Sequence, residues 1–211
     1  IQYSLSTVTI LLFLHLVLTH IMSLVIKLDP DAFSAGQIES KIWAARELEP
    51  VVAQLKIEPL RIAILGGWYA LLHFILQSRE RVAIEYCRSY DIDASVCMDA
   101  NLINNSWEIN DWQFRSFPRD ANKATYDDNI NLVVNTSTEH FDSQDWFDRI
   151  PSGTLCLFQG NDLDIKDHTR RPTDLDHFKA LWPLQKELFS GSMYFDFKED
   201  SYTRYMTIGL K

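Results

Sequence analysis

Six consecutive side chains, Asn135-Thr136-Ser137-Thr138-Glu139-His140, hold the densest set of groups able to position or move a proton. An imidazole titrates near neutrality, so His140 is a candidate general base, with Glu139 to orient it or a substrate amine. The Asn135 amide could position an acceptor through its carbonyl or its two N–H bonds. Asp91 and Asp120 are carboxylates suited to accept from hydroxyl or amino groups. Gly66-Gly67 is the chain's only adjacent glycine pair, and a backbone without Cβ can turn sharply and approach a ligand. A structural alternative competes at the first of these places. Thr136-x-x-Glu139 has the spacing of a capping box, which would make the polar run the start of a helix before Trp146.

The elements around these residues come from hydrophobic spacing. Apolar residues at Ile38, Ile42, Trp43, Leu48, Val51, Val52 and Leu55 recur at helical intervals, and Pro50 predicts a break into two short helices. Arg61–Leu65 is an apolar strand that runs into Gly66-Gly67 and then the helical "WYALLHFILQSR". Downstream, "CRSYDID", "WQFRSF", "INLVV" and "TLCLFQ" read as strands, with "ASVCMDANLINN", "SQDWFDRI" and "TDLDHFKALW" as helices between and after them. "SMYFDF" and "TRYMTIGL" are joined by "KEDSY", too short for a crossover helix, so they should pair antiparallel. The predicted fold class is α/β: a Rossmann-like, mostly parallel sheet with a closing antiparallel hairpin and helices on both faces. In such sheets ligands bind beyond the carboxyl ends of the strands, which is where each of the residues named above falls.

Composition narrows the function classes. The 211 residues suffice for one well-cored domain, with 46% hydrophobic and 23% charged residues. A formal net charge of −9 argues against a dedicated nucleic-acid binder, although Arg170-Arg171 could form a local basic patch. Cys87, Cys97 and Cys156 form no C-x-x-C pair and sit among apolar neighbours, as reduced core thiols of a cytoplasmic protein would. No metal site is expected. Asp162, Asp164, Asp167 and His168 match no ligand spacing and read as a solvated acidic loop. Residues 1–21 form an apolar extension near bilayer-spanning length, with His15 and His20 inside it. It reads as upstream sequence ahead of Met22, and a membrane becomes a partner only if that extension is a native anchor. A helical segment, 22–58, then precedes the sheet domain, 59–211.

Two adenine-containing ligands compete for the glycine turn. A nicotinamide dinucleotide calls for G-x-G-x-x-G/A, and with Gly67 in the second place Leu65 takes the first. S-adenosylmethionine (SAM) has no pyrophosphate, so a looser glycine turn suffices. A ribose acid is expected about 20 residues on. Glu85 would serve if "VAIEY" were the second strand, and Asp91 if "CRSYDID" were; the acids at the end of the latter fit better.

Taken together, "LRIAILGGWYALLHFIL", "RSYDID", "WQFRSFPRDAN", "INLVVNTSTEHF", "WFDRIPSGTLCLFQGNDL" and "YTRYMTIGLK" resemble a small class I SAM-dependent methyltransferase family of bacteria and their phages. The resemblance spans roughly residues 29–211, and "FSAGQIESKIWAARELE" looks like that family's N-terminal segment. It implies a seven-stranded sheet, SAM as cofactor and methyl transfer to an unassigned acceptor. By position, Gly66 and Gly67 would approach the methionine part, with Tyr69 at its flank. Asp91 would take the ribose hydroxyls, Asp120 the adenine amino group, and Ala121 would lie beside the ring. Asn135, Glu139 and His140 would serve the acceptor side, Asn135 at the boundary with the cofactor. Two departures stand out: Ala94 where proline usually follows "DID", and Gly160 in "QGND" where serine is expected. Aminocarboxypropyl transfer from the same cofactor, or SAM binding without turnover, are the alternatives.

Overall fold

The computed structural model describes residues 28–105, 113–126, 129–196 and 201–211. The 1–21 extension lies outside the described residues. Among the described residues no helix is long and apolar enough to cross a membrane.

Seven strands form one sheet: β1 (Leu60–Leu65), β2 (Ile84–Asp91), β3 (Phe114–Pro118), β4 (Leu132–Asn135), β5 (Leu155–Asn161), β6 (Lys186–Asp196) and β7 (Ser201–Leu210). Their order is β3-β2-β1-β4-β5-β7-β6. The first five are parallel to one another; β7 inserts antiparallel between β5 and β6. The central strands are apolar at nearly every position because both faces are covered. Alternation then sorts them. Ile62, Ile64, Leu132, Val134, Leu155 and Leu157 enter one core; Ala63, Leu65, Val133, Cys156 and Phe158 enter the other.

Five α-helices are described: α1 (Ala35–Leu55), α2 (Leu71–Arg79), α3 (Ala94–Ile103), α4 (Asp145–Asp148) and α5 (Leu175–Leu181). The first core takes Trp43, Leu48, Val51 and Val52 of α1 with Leu72 and Leu76 of α2, so the N-terminal helical segment shares its core with the sheet. The second takes Trp146 and Phe147 of α4 with Phe178 of α5 and Trp182 just after it.

The expected break at Pro50 does not occur: α1 is one helix of 21 residues with Pro50 inside it. Its ring sits on the exposed face, while Leu48, Val51 and Val52 on either side are held in the core. Tertiary burial there outweighs the missing backbone bond. Arg79 of α2 donates from Nε and Nη2 to both carboxylate oxygens of Glu49, fixing the two helices together beside that point.

Candidate functional site

Parallel register brings the strand ends level: Leu65 lies opposite Tyr90 on one side and Asn135 on the other. Strand order reverses between β1 and β4, which opens a crevice above these ends. A cavity of about 970 Å³ occupies it.

The first half of the rim is built by β1, β2 and β3. Gly66 has φ +58°, a conformation that side chains resist. At Gly67 the constraint is space: a Cβ there would stand 2.0 Å from Ser89 Oγ. The turn continues in left-handed backbone at Trp68 and Ala70, so α2 starts only at Leu71. The tension at these two non-glycine residues is held by neighbours. Trp68 N–H donates to Asp91 Oδ2 at 2.9 Å, and Asn104 Nδ2 donates to the Tyr69 carbonyl at 3.3 Å. Asn104 Oδ1 in turn bonds the buried His73 ring at 2.8 Å. Tyr69 is buried, stacks between Phe33 and Trp68, and its hydroxyl accepts from Asp29 N–H.

Asp91 stands at the end of β2, and Glu85 near its start, since "VAIEY" and "CRSYDID" share one long strand. Besides Trp68 N–H, Asp91 accepts from Asp93 N–H at 3.1 Å, which leaves about half of a carboxylate's acceptor sites open to the cavity. Ile92, next to it, is 81% exposed on the cavity wall, a residue the sequence reading passed over. Asp120 accepts from Asn122 N–H at 2.9 Å, and Ala121 lines the cavity beside it.

The second half is built differently. The capping box does not form. Thr138–His140 is a single 3-10 turn whose preceding residue, Ser137, makes no side-chain cap bond, and α4 begins only at Asp145. Thr136 instead offers its carbonyl to Arg204 Nη1 at 3.1 Å. Glu139 turns inward, 2% exposed. It accepts from Asn161 Nδ2 through Oε1, while Oε2 has no partner. Burial raises its pKa, opposed by the Arg204 charge. Thr138 donates to the Gln159 carbonyl and fills the space above Gly160, where a Cβ would meet its Oγ1 at 2.6 Å. The expected serine has no room there.

Asn135 does not reach the cavity. It is fully buried at the end of β4, its Oδ1 accepting from Ser137 N–H and its Nδ2 without a partner. His140 is exposed and lines the cavity with Glu139. Its ring meets that of His168 edge-on at 4.7 Å between centroids. His168 comes from the acidic loop after β5, which folds over the turn: Arg170 N–H donates to the Glu139 carbonyl at 3.1 Å. Two acids of that loop are spent elsewhere, Asp164 on Arg171 and Asp162 on Thr203 N–H and the Tyr205 hydroxyl. Burial holds both imidazoles below the ordinary histidine pKa.

Two cations completing this half were missed in the sequence. Arg204 of β7 is 3% exposed, and Lys41 of α1 is 9% exposed; both line the cavity. Gln159 Nε2 donates to the Ser40 carbonyl at 3.0 Å, which pins α1 over β5 and puts Lys41 at the rim. Burial, followed by the Arg204 charge, lowers the Lys41 pKa to about 7. A signal existed for each. Lys41 shares the helical stripe of Ala44, Ala45, Leu48 and Val52, and Arg204 interrupts a strand otherwise flanked by strands on both sides.

Sheet order, closing hairpin and rim cavity together define the class I methyltransferase fold. No protein-family model and no curated protein matches the sequence. Solved structures do. The N-methyltransferase NodS from Bradyrhizobium japonicum WM9, in complex with S-adenosylhomocysteine, superposes with a TM-score of 0.58 at 8% identity, over 83% of this chain and 88% of that one. Magnesium protoporphyrin IX methyltransferase from Synechocystis PCC 6803, with bound SAM, gives 0.57 at 8% identity, over 82% and 81%. The plantazolicin methyltransferase BpumL, in complex with S-adenosylhomocysteine, gives 0.53 at 8%, over 81% and 84%.

Proposed function

We propose that the protein is a SAM-dependent methyltransferase, of the kind found as small enzymes in bacteria and phages. The observation that carries this reading is Asp91: a carboxylate at the end of β2, half-satisfied by backbone N–H groups and open to the cavity beside the glycine turn. A ribose diol suits its remaining acceptor sites. Exposed Ile92 and Ala121 offer apolar surface to an adenine ring, and Asp120 an acceptor for its amino group. Gly66 and Gly67 leave the backbone open to the methionine end. The cavity lies at the upper end of the usual range for small-molecule sites, about 300–1,000 Å³, so an acceptor has room beside the cofactor.

The acceptor side falls to Glu139, His140 and Lys41. Methyl transfer is an in-line displacement at the sulfonium, and a protonated acceptor must lose its proton. Burial lowers the pKa of both His140 and Lys41, that of Lys41 to about 7, which favours the unprotonated nitrogen a base needs. Asn135 acts from behind the wall, holding the turn through Ser137 N–H.

The test is ligand stabilisation. Ligand that binds only the folded chain raises its melting temperature. SAM and S-adenosylhomocysteine should do so, and NAD should not; the opposite result overturns the reading. Product analysis then separates the chemistries. S-adenosylhomocysteine marks methyl transfer, and methylthioadenosine marks aminocarboxypropyl transfer.

A further inference from the structure

Glu139, His140 and His168 place one ligand atom each within 4.8 Å of one another, and all three line the cavity. From this juxtaposition we propose that the acceptor side of the cavity is a binding site for a divalent transition-metal ion, held by one carboxylate and two imidazoles.

Four observations converge on it. Glu139 Oε2 is buried without a hydrogen-bond partner, whereas its sister oxygen is taken by Asn161. A lone buried carboxylate oxygen costs stability unless something fills its vacant coordination. Next, one of the two imidazoles is already anchored through a backbone group. His168 Nδ1 bonds the Leu163 carbonyl at 2.7 Å. A metal-bound histidine characteristically uses its second ring nitrogen in this way, which orients the first toward the ion. Third, the loop carrying His168 is fastened to the turn carrying the other two. Arg170 N–H and the Thr169 hydroxyl both meet the Glu139 carbonyl. Two segments more than twenty residues apart are thereby held at a fixed separation. Finally, the site is open on one side. Three protein ligands on the wall of a large cavity leave positions for water or substrate, the pattern of catalytic centres and not of closed structural ones.

Metal–ligand bonds of about 2.1 Å would bring the three atoms to roughly 3 Å apart, so an ion draws them in by side-chain rotation. His140 is exposed and free to make that movement. Arg204 and Lys41 face the same carboxylate and oppose a cation. Affinity must therefore come from the neutral imidazoles more than from net charge. That favours zinc, iron or cobalt over magnesium and calcium, which prefer oxygen ligands. If the methyltransferase reading holds, an ion here would bind an acceptor oxygen and lower its pKa in place, so the acceptor would be a hydroxyl compound.

The experiment is cobalt titration of the chelator-stripped chain. Expected are one Co²⁺ per chain with visible d–d absorption, and at least about a tenfold loss of affinity in each of Glu139→Gln, His140→Asn and His168→Asn. S-adenosylhomocysteine thermal shifts on the same proteins report whether each variant folds. His140 is on the surface, so its variant stays informative if the Glu139 variant does not fold. Wild type that binds no stoichiometric Co²⁺, or variants that bind it as wild type does, would overturn the site. Co²⁺ binding without S-adenosylhomocysteine binding would overturn the function proposed above and leave the metal site standing; the converse would do the reverse.

Discussion

The two halves of the cavity rim treat their carboxylates in opposite ways. Beyond β1, β2 and β3 the acids are partly exposed and bond backbone N–H groups: Asp91 with Trp68 and Asp93, Asp120 with Asn122. Beyond β4, β5 and β7 the polar groups are buried and incompletely paired: Glu139 Oε2, Asn135 Nδ2 and Arg204 Nε have no partner. A half-satisfied exposed carboxylate is ready to take a ligand at little cost. A buried unpaired group is costly until a ligand arrives. The first half thus has the character of a preformed cofactor seat, and the second of a site whose groups gain from being engaged.

That contrast can be broken by substitution. The largest effect expected is on turnover. Glu139→Gln and His140→Ala should each reduce it by about 100-fold or more, with S-adenosylhomocysteine affinity unchanged. Loss of that affinity in either variant would erase the division between the halves. Next, Asp91→Ala should weaken S-adenosylhomocysteine binding by about 1–3 kcal/mol in calorimetry, the scale of a hydrogen bond to a charged group. Glu85→Ala should leave it unaltered. Gly160→Ser should lower stability by about 1–3 kcal/mol in denaturant unfolding, because the added atoms meet Thr138 and Phe178.

The smallest effect sharpens the comparison through pH. Lys41 has a folded pKa of about 7, below its ordinary value of 10.5. The unfolded chain therefore binds more protons than the folded one between those values, and stability rises with pH across the window. Below the folded value the penalty is full and constant. Lys41→Met should flatten the rise in melting temperature between pH 7 and pH 9. An unchanged slope would mean that Lys41 is not held unprotonated by its surroundings.

Much of the first half was legible because its residues sit next to the features that betray them. Asp91 ends an apolar strand, and Gly66-Gly67 is a pair in a chain with few glycines. The second half was only half legible. The polar run 135–140 was visible, but its spacing imitated a capping box, and local pattern cannot tell a 3-10 turn from the first turn of a helix. Lys41, Arg204 and His168 stand out locally at most as oddities, and their place at the rim was not legible because long-range contacts put them there. The Gln159–Ser40 bond positions the first, the β5–β7 pairing the second, and a loop folded over the turn the third. Pro50 misled for a related reason, since local propensity there yields to packing on both sides.

The insertion of β7 between β5 and β6 has a consequence for biosynthesis. Arg204 enters the rim only when β7 has paired with β5, and β7 follows every other strand in the sheet along the chain. A ribosome delivers residues in order, so a nascent chain can assemble β1 to β5 and the Asp91 seat while Thr136 still lacks its arginine. By order of delivery along the chain, the acceptor side is the half whose last residue arrives last. A chain cut short before β7 would leave the long flank of β5 unpaired, an open edge that invites association with other strands.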